Sequence, residues 1–148
     1  MRFFPKRHLI LYLAMCCLCT ALACGGGDDG PTLEELRIQE LTATWAVSTV
    51  INDNQNVTDQ FSGFTLTVTS ELTFSTTNGG NAWPAQGTFE FPTDDLDLVL
   101  RDDNISMSIG SISETTLSLI FQINDVRGTA SGTEGITGQF IFNLNKTN

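Results

Sequence analysis

Residues 32–148 predict an all-β domain of about eight antiparallel strands in an up-and-down barrel, led by one short helix. Three observations carry this. From Leu41 onward, apolar residues recur at every second position, the period of half-buried antiparallel strands. Clusters of Asn, Asp, Gly and Pro interrupt the alternation at short intervals. The region is rich in Thr, Ser, Gly and Phe, a strand-and-turn composition. A β-sandwich is the alternative, because period two does not report whether the first strand meets the last.

The helix comes first. In the segment Pro31 to Glu40, Thr32 and Glu35 stand at capping-box spacing. Glu34 and Glu35 occupy the first turn, where the helix dipole favours acids. So short a helix needs tertiary support, expected here from Leu33, Leu36 and Ile38 packed against the rest.

The strands follow by parity. Leu41, Ala43, Trp45, Val47 and Ile51 share one face, which places Trp45 in the core at one barrel end. Phe64, Leu66 and Val68 repeat the pattern, then Leu72 and Phe74, then Phe89 and Phe91. Leu96, Leu98 and Leu100 come next, then Ile105, Met107 and Ile109. Leu117, Leu119, Phe121 and Ile123 precede Ile136, Phe140, Phe142 and Leu144. The turns fall at Asn52-Asp53-Asn54, Asn78-Gly79-Gly80-Asn81, Pro92-Thr93-Asp94-Asp95, Asp102-Asp103-Asn104, Asn124-Asp125 and Ser131 to Gly135. Thr69-Ser70-Glu71 reads either as a tight turn or as the middle of one long strand, since parity survives across it.

The N-terminus has a different character. Arg2, Lys6 and Arg7 precede an uncharged, mostly apolar run from Leu9 to Ala23. A basic start, about 15 apolar residues and a small-residue end describe a secretory signal peptide. The run is short of the roughly 20 residues a membrane span needs. Gly25 to Gly30 is a flexible Gly/Asp linker with a root-mean-square span of about 13 Å. The expected organisation is a signal peptide at 1–23, a tether at 24–31 and the β domain at 32–148.

Ala21-Leu22-Ala23-Cys24-Gly25 resembles the lipobox of bacterial lipoproteins, with Leu22 one place closer to the cysteine than usual. The resemblance implies that Cys24 is acylated and becomes the first mature residue, which would anchor the chain in a membrane. Cysteine usage agrees. All four cysteines, Cys16, Cys17, Cys19 and Cys24, lie at or before that point, so the domain has none to pair in a disulfide. Gly25 rather than Asp follows Cys24, whereas lipoproteins held in the inner membrane often begin Cys-Asp. Asp28 and Asp29 look like the acidic surface-export signals of some diderm lipoproteins. The implied location is the outer membrane, with surface exposure a reasonable extension.

A second resemblance covers residues 33 to 145. Leu41-Thr42-Ala43-Thr44-Trp45 after a short helix resembles the Gly-x-Trp opening of lipocalins, with Ala43 where Gly is usual. Gly87-Thr88-Phe89-Glu90-Phe91 looks like a second such opening. The stretches Phe61 to Thr67, Asn78 to Pro84 and Glu114 to Leu119 are similar to small lipocalin-like lipoproteins of diderm bacteria. The resemblance implies that Trp45 closes the barrel floor under a late Arg, for which Arg127 is the candidate. It carries over no ligand, but it makes a small apolar ligand or an envelope protein partner the expected class of contact.

Composition narrows the chemistry. His8 is the only His and Tyr12 the only Tyr, and both leave with the signal peptide. Nucleophile–His catalysis and a His/Cys zinc site then have no residues to build them. Arg2, Lys6 and Arg7 also leave, so seven basic residues fall to four against 17 acidic ones, a net charge of −13. That argues against nucleic acid and against docking of the domain on anionic lipid, both of which need clustered Lys and Arg. Asp94, Asp95 and Asp97, with Asp102 and Asp103, leave a carboxylate enzyme as a remote alternative. Those acids sit where turns favour Asp for backbone reasons, and EF-hand spacing is absent. No catalytic residue, metal or cofactor is expected. Trp83, in a loop beside Pro84, is the one ligand-binding candidate, as a stacking platform or lid; otherwise it plugs a barrel end.

Overall fold

Strand pairing in the computed structural model, which describes residues 30–124 and 137–147, runs in chain order and then closes on itself. A helix, α1 (Leu33–Leu41), leads into the long strand β1 (Ala43–Asn52). A two-residue stub, β2 (Gln55–Asn56), and one 3₁₀ turn (Thr58–Phe61) follow. Then come β3 (Thr65–Val68), β4 (Thr73–Thr77), β5 (Gln86–Glu90), β6 (Leu98–Arg101), β7 (Ser106–Ile112), β8 (Thr116–Ile123) and β9 (Gly138–Lys146). Every pairing is antiparallel, and β1 bonds β3 on one side and β9 on the other. Setting aside β2, a hairpin return on the end of β1, eight strands form a closed up-and-down barrel with a short N-terminal helix. That is the lipocalin-like layout, and the β1–β9 pairing rules out two separate sheets. Closure leaves no free edge on those strands to recruit another chain.

The register sets two ends. The floor carries the C-terminus of α1, the start of β1 and the end of β9. The mouth carries the β1–β2 hairpin, the 3₁₀ turn, the loop between β4 and β5, and the turn between β6 and β7. Asn52 pairs with Gln55 around Asp53 and Asn54, both at positive φ, the geometry of a two-residue hairpin turn.

The core alternates as expected along β3, β7, β8 and β9, and departs from expectation in β1 and around β6. In β1 a bulge between Val47 and Thr49 moves the buried position from Ile51 to Val50. One extra residue reverses the parity of everything after it. In β6 the inward residues are Val99, opposite Met107, and Arg101, opposite Phe89. Leu98 and Leu100 therefore face outward, and Leu96, in the loop before the strand, is only half-buried. Leu98-Val99-Leu100 is apolar at every position, so alternation carries no information there.

Thr69 to Leu72 is a turn. The Leu72 N–H donates to the Thr69 carbonyl at 3.1 Å, and Leu72 takes φ +55°. In α1 the capping box forms, with Thr32 N–H on Glu35 Oε2 at 2.7 Å and Glu35 N–H on Thr32 Oγ1 at 3.1 Å. Two of the three expected apolar residues stay out, Leu33 at 77% exposed and Leu36 at 41%, while Ile38 is half-buried. Instead Leu41 is buried, and Arg37 pairs with Asp97 at 2.9 Å and Glu40 at 3.1 Å. Cys24, Arg127, Ile136 and the turn from Ser131 to Gly135 lie outside the described residues.

Candidate functional site at the barrel mouth

The loop between β4 and β5 is built to drive one side chain inward. Asn78 and Gly80 take positive φ, and the N–H groups of Ala82 and Trp83 both donate to the Gly79 carbonyl at 3.2 Å. Thr76 Oγ1 donates to the Pro84 carbonyl at 2.8 Å and fixes the loop's return. Asn78 Nδ2 lies 3.3 Å and 3.2 Å from the carbonyls of Ser62 and Gly63, tying the loop to the end of the 3₁₀ turn. A Cβ on Gly79 would stand 2.6 Å from Trp83 Cβ, so only glycine allows this approach.

Trp83 is consequently 3% exposed and lies inside the barrel. Its ring touches Phe64, Phe74, Phe89, Phe121 and Phe142, with centroids 5.4 to 6.5 Å apart. Phe61 and Phe140 extend this cluster under the 3₁₀ turn. Edge-to-face pairs of this kind each contribute about 0.5–1.5 kcal/mol beyond the area they bury.

Arg101 is the second component, and only 3% exposed. It ends β6 on the inward parity, directly opposite Phe89. The turn that follows folds Asp103 back on it. Nε donates to Oδ1 at 2.8 Å and Nη2 to Oδ2 at 2.7 Å, a bidentate pair. Nη1 donates to the Ala82 carbonyl at 3.0 Å and so ties β6 to the Trp83 loop. The guanidinium carbon lies 5.0 Å from the Trp83 ring centre and 5.7 Å from that of Phe121, both within cation–π range. Burial alone would raise the Asp103 pKa. The Arg101 hydrogen bonds and charge outweigh it and hold the carboxyl below its ordinary value.

One polar atom is left over. Trp83 Nε1 is buried and has no hydrogen-bond partner among the described residues. A buried donor without an acceptor costs about 1–3 kcal/mol, so this atom stands out in an otherwise well-satisfied core.

Trp45, the other tryptophan, lies at the floor, fully buried, with Nε1 donating to the Leu41 carbonyl at 2.9 Å. The acidic clusters are engaged in turns. Asp95 Oδ1 accepts from Asp97 N–H at 3.0 Å, and Asp102 Oδ2 accepts from Thr88 N–H at 3.1 Å. Among the described residues no three His, Cys, Asp or Glu side chains gather as a metal site.

Arg101 is the residue that sequence reasoning missed. A signal existed: it is one of four basic residues after Cys24, and it sits at the end of an apolar strand run rather than in a turn. Asp103 two residues later supplies the counter-charge.

Grooves formed by the described residues open outward. One of ≈ 550 Å³ runs between the start of α1 and the loop before β6, past Leu33, Phe91, Pro92 and Leu96. Another, of ≈ 480 Å³, crosses the outer wall of β3 to β5 over Thr67, Thr73, Ser75, Gln86 and Thr88. Compared with known protein families, curated proteins and solved structures, the chain matches none.

Proposed function

We propose that this chain is a lipid-anchored protein of the bacterial cell envelope, whose barrel is a non-enzymatic interaction module rather than a carrier of cargo. The observation behind the module reading is the interior. Trp83, its five Phe neighbours and the Arg101–Asp103 pair occupy the mouth, where a carrier would open. Eight strands give an interior that side chains can just fill. Ligand sites are commonly clefts of about 300–1,000 Å³ that enclose most of the ligand. Among the described residues, the two grooves of that size lie on the outside, which suits a protein partner.

The anchor rests on the N-terminal sequence. Each buried methylene contributes about 0.8 kcal/mol, and one acyl chain holds only reversibly. Two or three chains on Cys24 hold the protein durably without any membrane-binding surface on an acidic domain. The outer membrane is the proposed site, from Gly25 after the cysteine and Asp28 and Asp29 beyond it.

Cys24→Ser tests the anchor. The variant should persist as a precursor that retains residues 1–23 and incorporates no labelled fatty acid. Normal maturation or continued acylation of the variant would remove the lipoprotein reading. Native mass spectrometry of the wild-type protein tests the module. An interior without an apolar ligand is expected, and a stoichiometric apolar compound would return the barrel to the carrier class.

A further inference from the structure

We propose that the barrel mouth holds one buried water molecule that accepts a hydrogen bond from the Trp83 indole beside the Arg101 guanidinium. Two independent observations meet there. The first is Trp83 Nε1, buried and without a partner among the described residues. An indole N–H can only donate, so no rotation of the ring turns it into anything but a donor seeking an oxygen.

The second is the donor inventory of Arg101. Its guanidinium has five N–H bonds. Three have acceptors: Nε and one on Nη2 reach Asp103, and one on Nη1 reaches the Ala82 carbonyl. Two N–H bonds, one on each terminal nitrogen, have no acceptor among the described residues. The guanidinium carbon lies over the Trp83 ring, 5.0 Å from its centre, so these spare donors belong to the neighbour of the side chain whose edge carries Nε1. The rest of that neighbourhood is apolar ring, which offers no acceptor.

The chemistry of the guest follows. Asp103 already neutralises Arg101 through a bidentate pair, so the acceptor needs lone pairs but no charge of its own. Buried polar atoms without a protein partner are the places where structural waters are held.

The two indole protons of ¹⁵N-labelled full-length protein in detergent are the direct readout. Trp45 donates to a protein carbonyl and serves as the internal reference. The Trp83 indole proton should show a cross-peak to bound water that Trp45 lacks, which assigns the acceptor as water. Native mass spectrometry should show the bare protein mass; a compound lost on denaturation, found in place of the Trp83 water cross-peak, would overturn the assignment to water. Trp83→Phe should remove that cross-peak, while Trp45 keeps its shift. A Trp83 proton with no water cross-peak, together with a bare protein mass, would overturn the site. That outcome leaves the Cys24→Ser result untouched, so the two readings fail separately. The wild-type measurement stands even if Trp83→Phe does not fold.

Discussion

The ammonium of Lys146 lies 5.9 Å from the centre of the Trp45 ring, and the two residues face each other across the seam that closes the barrel. Lipocalin resemblance implies a late Arg over the first-strand Trp. Among the described residues the cation at that place is the lysine of the last strand. Trp45 is fully buried and bonded to the Leu41 carbonyl, so the pair joins α1, β1 and β9 at the floor. An exposed cation over such a ring contributes about 0.5–1 kcal/mol.

Removing the floor residue should be costly. Trp45→Ala should destabilise by about 3–5 kcal/mol, the range for truncating a large core aromatic. Trp45→Phe keeps much of the apolar volume and should lose less than Trp45→Ala. Chemical denaturation measures both, and a loss under about 1 kcal/mol for the alanine variant would contradict the burial.

At the mouth, the two halves of the Arg101–Asp103 pair should respond unequally. Asp103→Asn leaves a guanidinium buried without its counter-charge and should cost about 1–3 kcal/mol. Arg101→Met removes the buried charge and fills part of its volume, while the Asp103 side chain, 42% exposed, can return to water. The expected order is a larger loss for Asp103→Asn than for Arg101→Met. Equal or reversed losses in denaturation would show that the charge is not what the interior has to balance.

The same pair fixes a pH dependence. The Asp103 pKa is lowered in the folded state, so its stabilisation is fully present above the ordinary Asp range. It is lost as pH falls through the depressed folded value. The melting temperature of wild type should therefore drop more steeply on acidification below the ordinary Asp range than that of a combined Arg101→Met, Asp103→Asn variant. Parallel acid profiles would refute the assignment.

Two adjacent glycines should separate contact from conformation. Gly79→Ala pushes a Cβ to 2.6 Å from Trp83 Cβ and 3.1 Å from the Trp83 carbonyl oxygen, both held by the backbone. It should cost about 1–3 kcal/mol, as overpacked cores do, and shift Trp83 fluorescence to the red. A Cβ on Gly80 meets only Phe61 Cε1 at 3.8 Å, but φ is +56°. Gly80→Ala should cost about 1–2 kcal/mol through the left-handed backbone alone, with Trp83 emission unchanged.

Strand count, fold class, the capping box and the burial of Trp45 were legible in residues 32–148, because each is local or periodic. Thr32 and Glu35 lie one turn apart, and alternation along β3, β7, β8 and β9 reports one wet and one dry face. The tertiary structure decided the rest. Barrel and sandwich share a period, and only the β1–β9 register separates them. The bulge at Val47 to Thr49 is invisible where Val50 and Ile51 are both apolar, and it reverses parity beyond it. Leu98-Val99-Leu100 offers no contrast between faces, so pairing with β5 and β7 chose Val99 and Arg101 as the inward pair. A charge enters that interior because Asp103, the Ala82 carbonyl and two aromatic rings converge on it. Two of those groups, Ala82 and Trp83, come from another loop, and long-range convergence of that kind is set by closure of the chain rather than by any stretch of it.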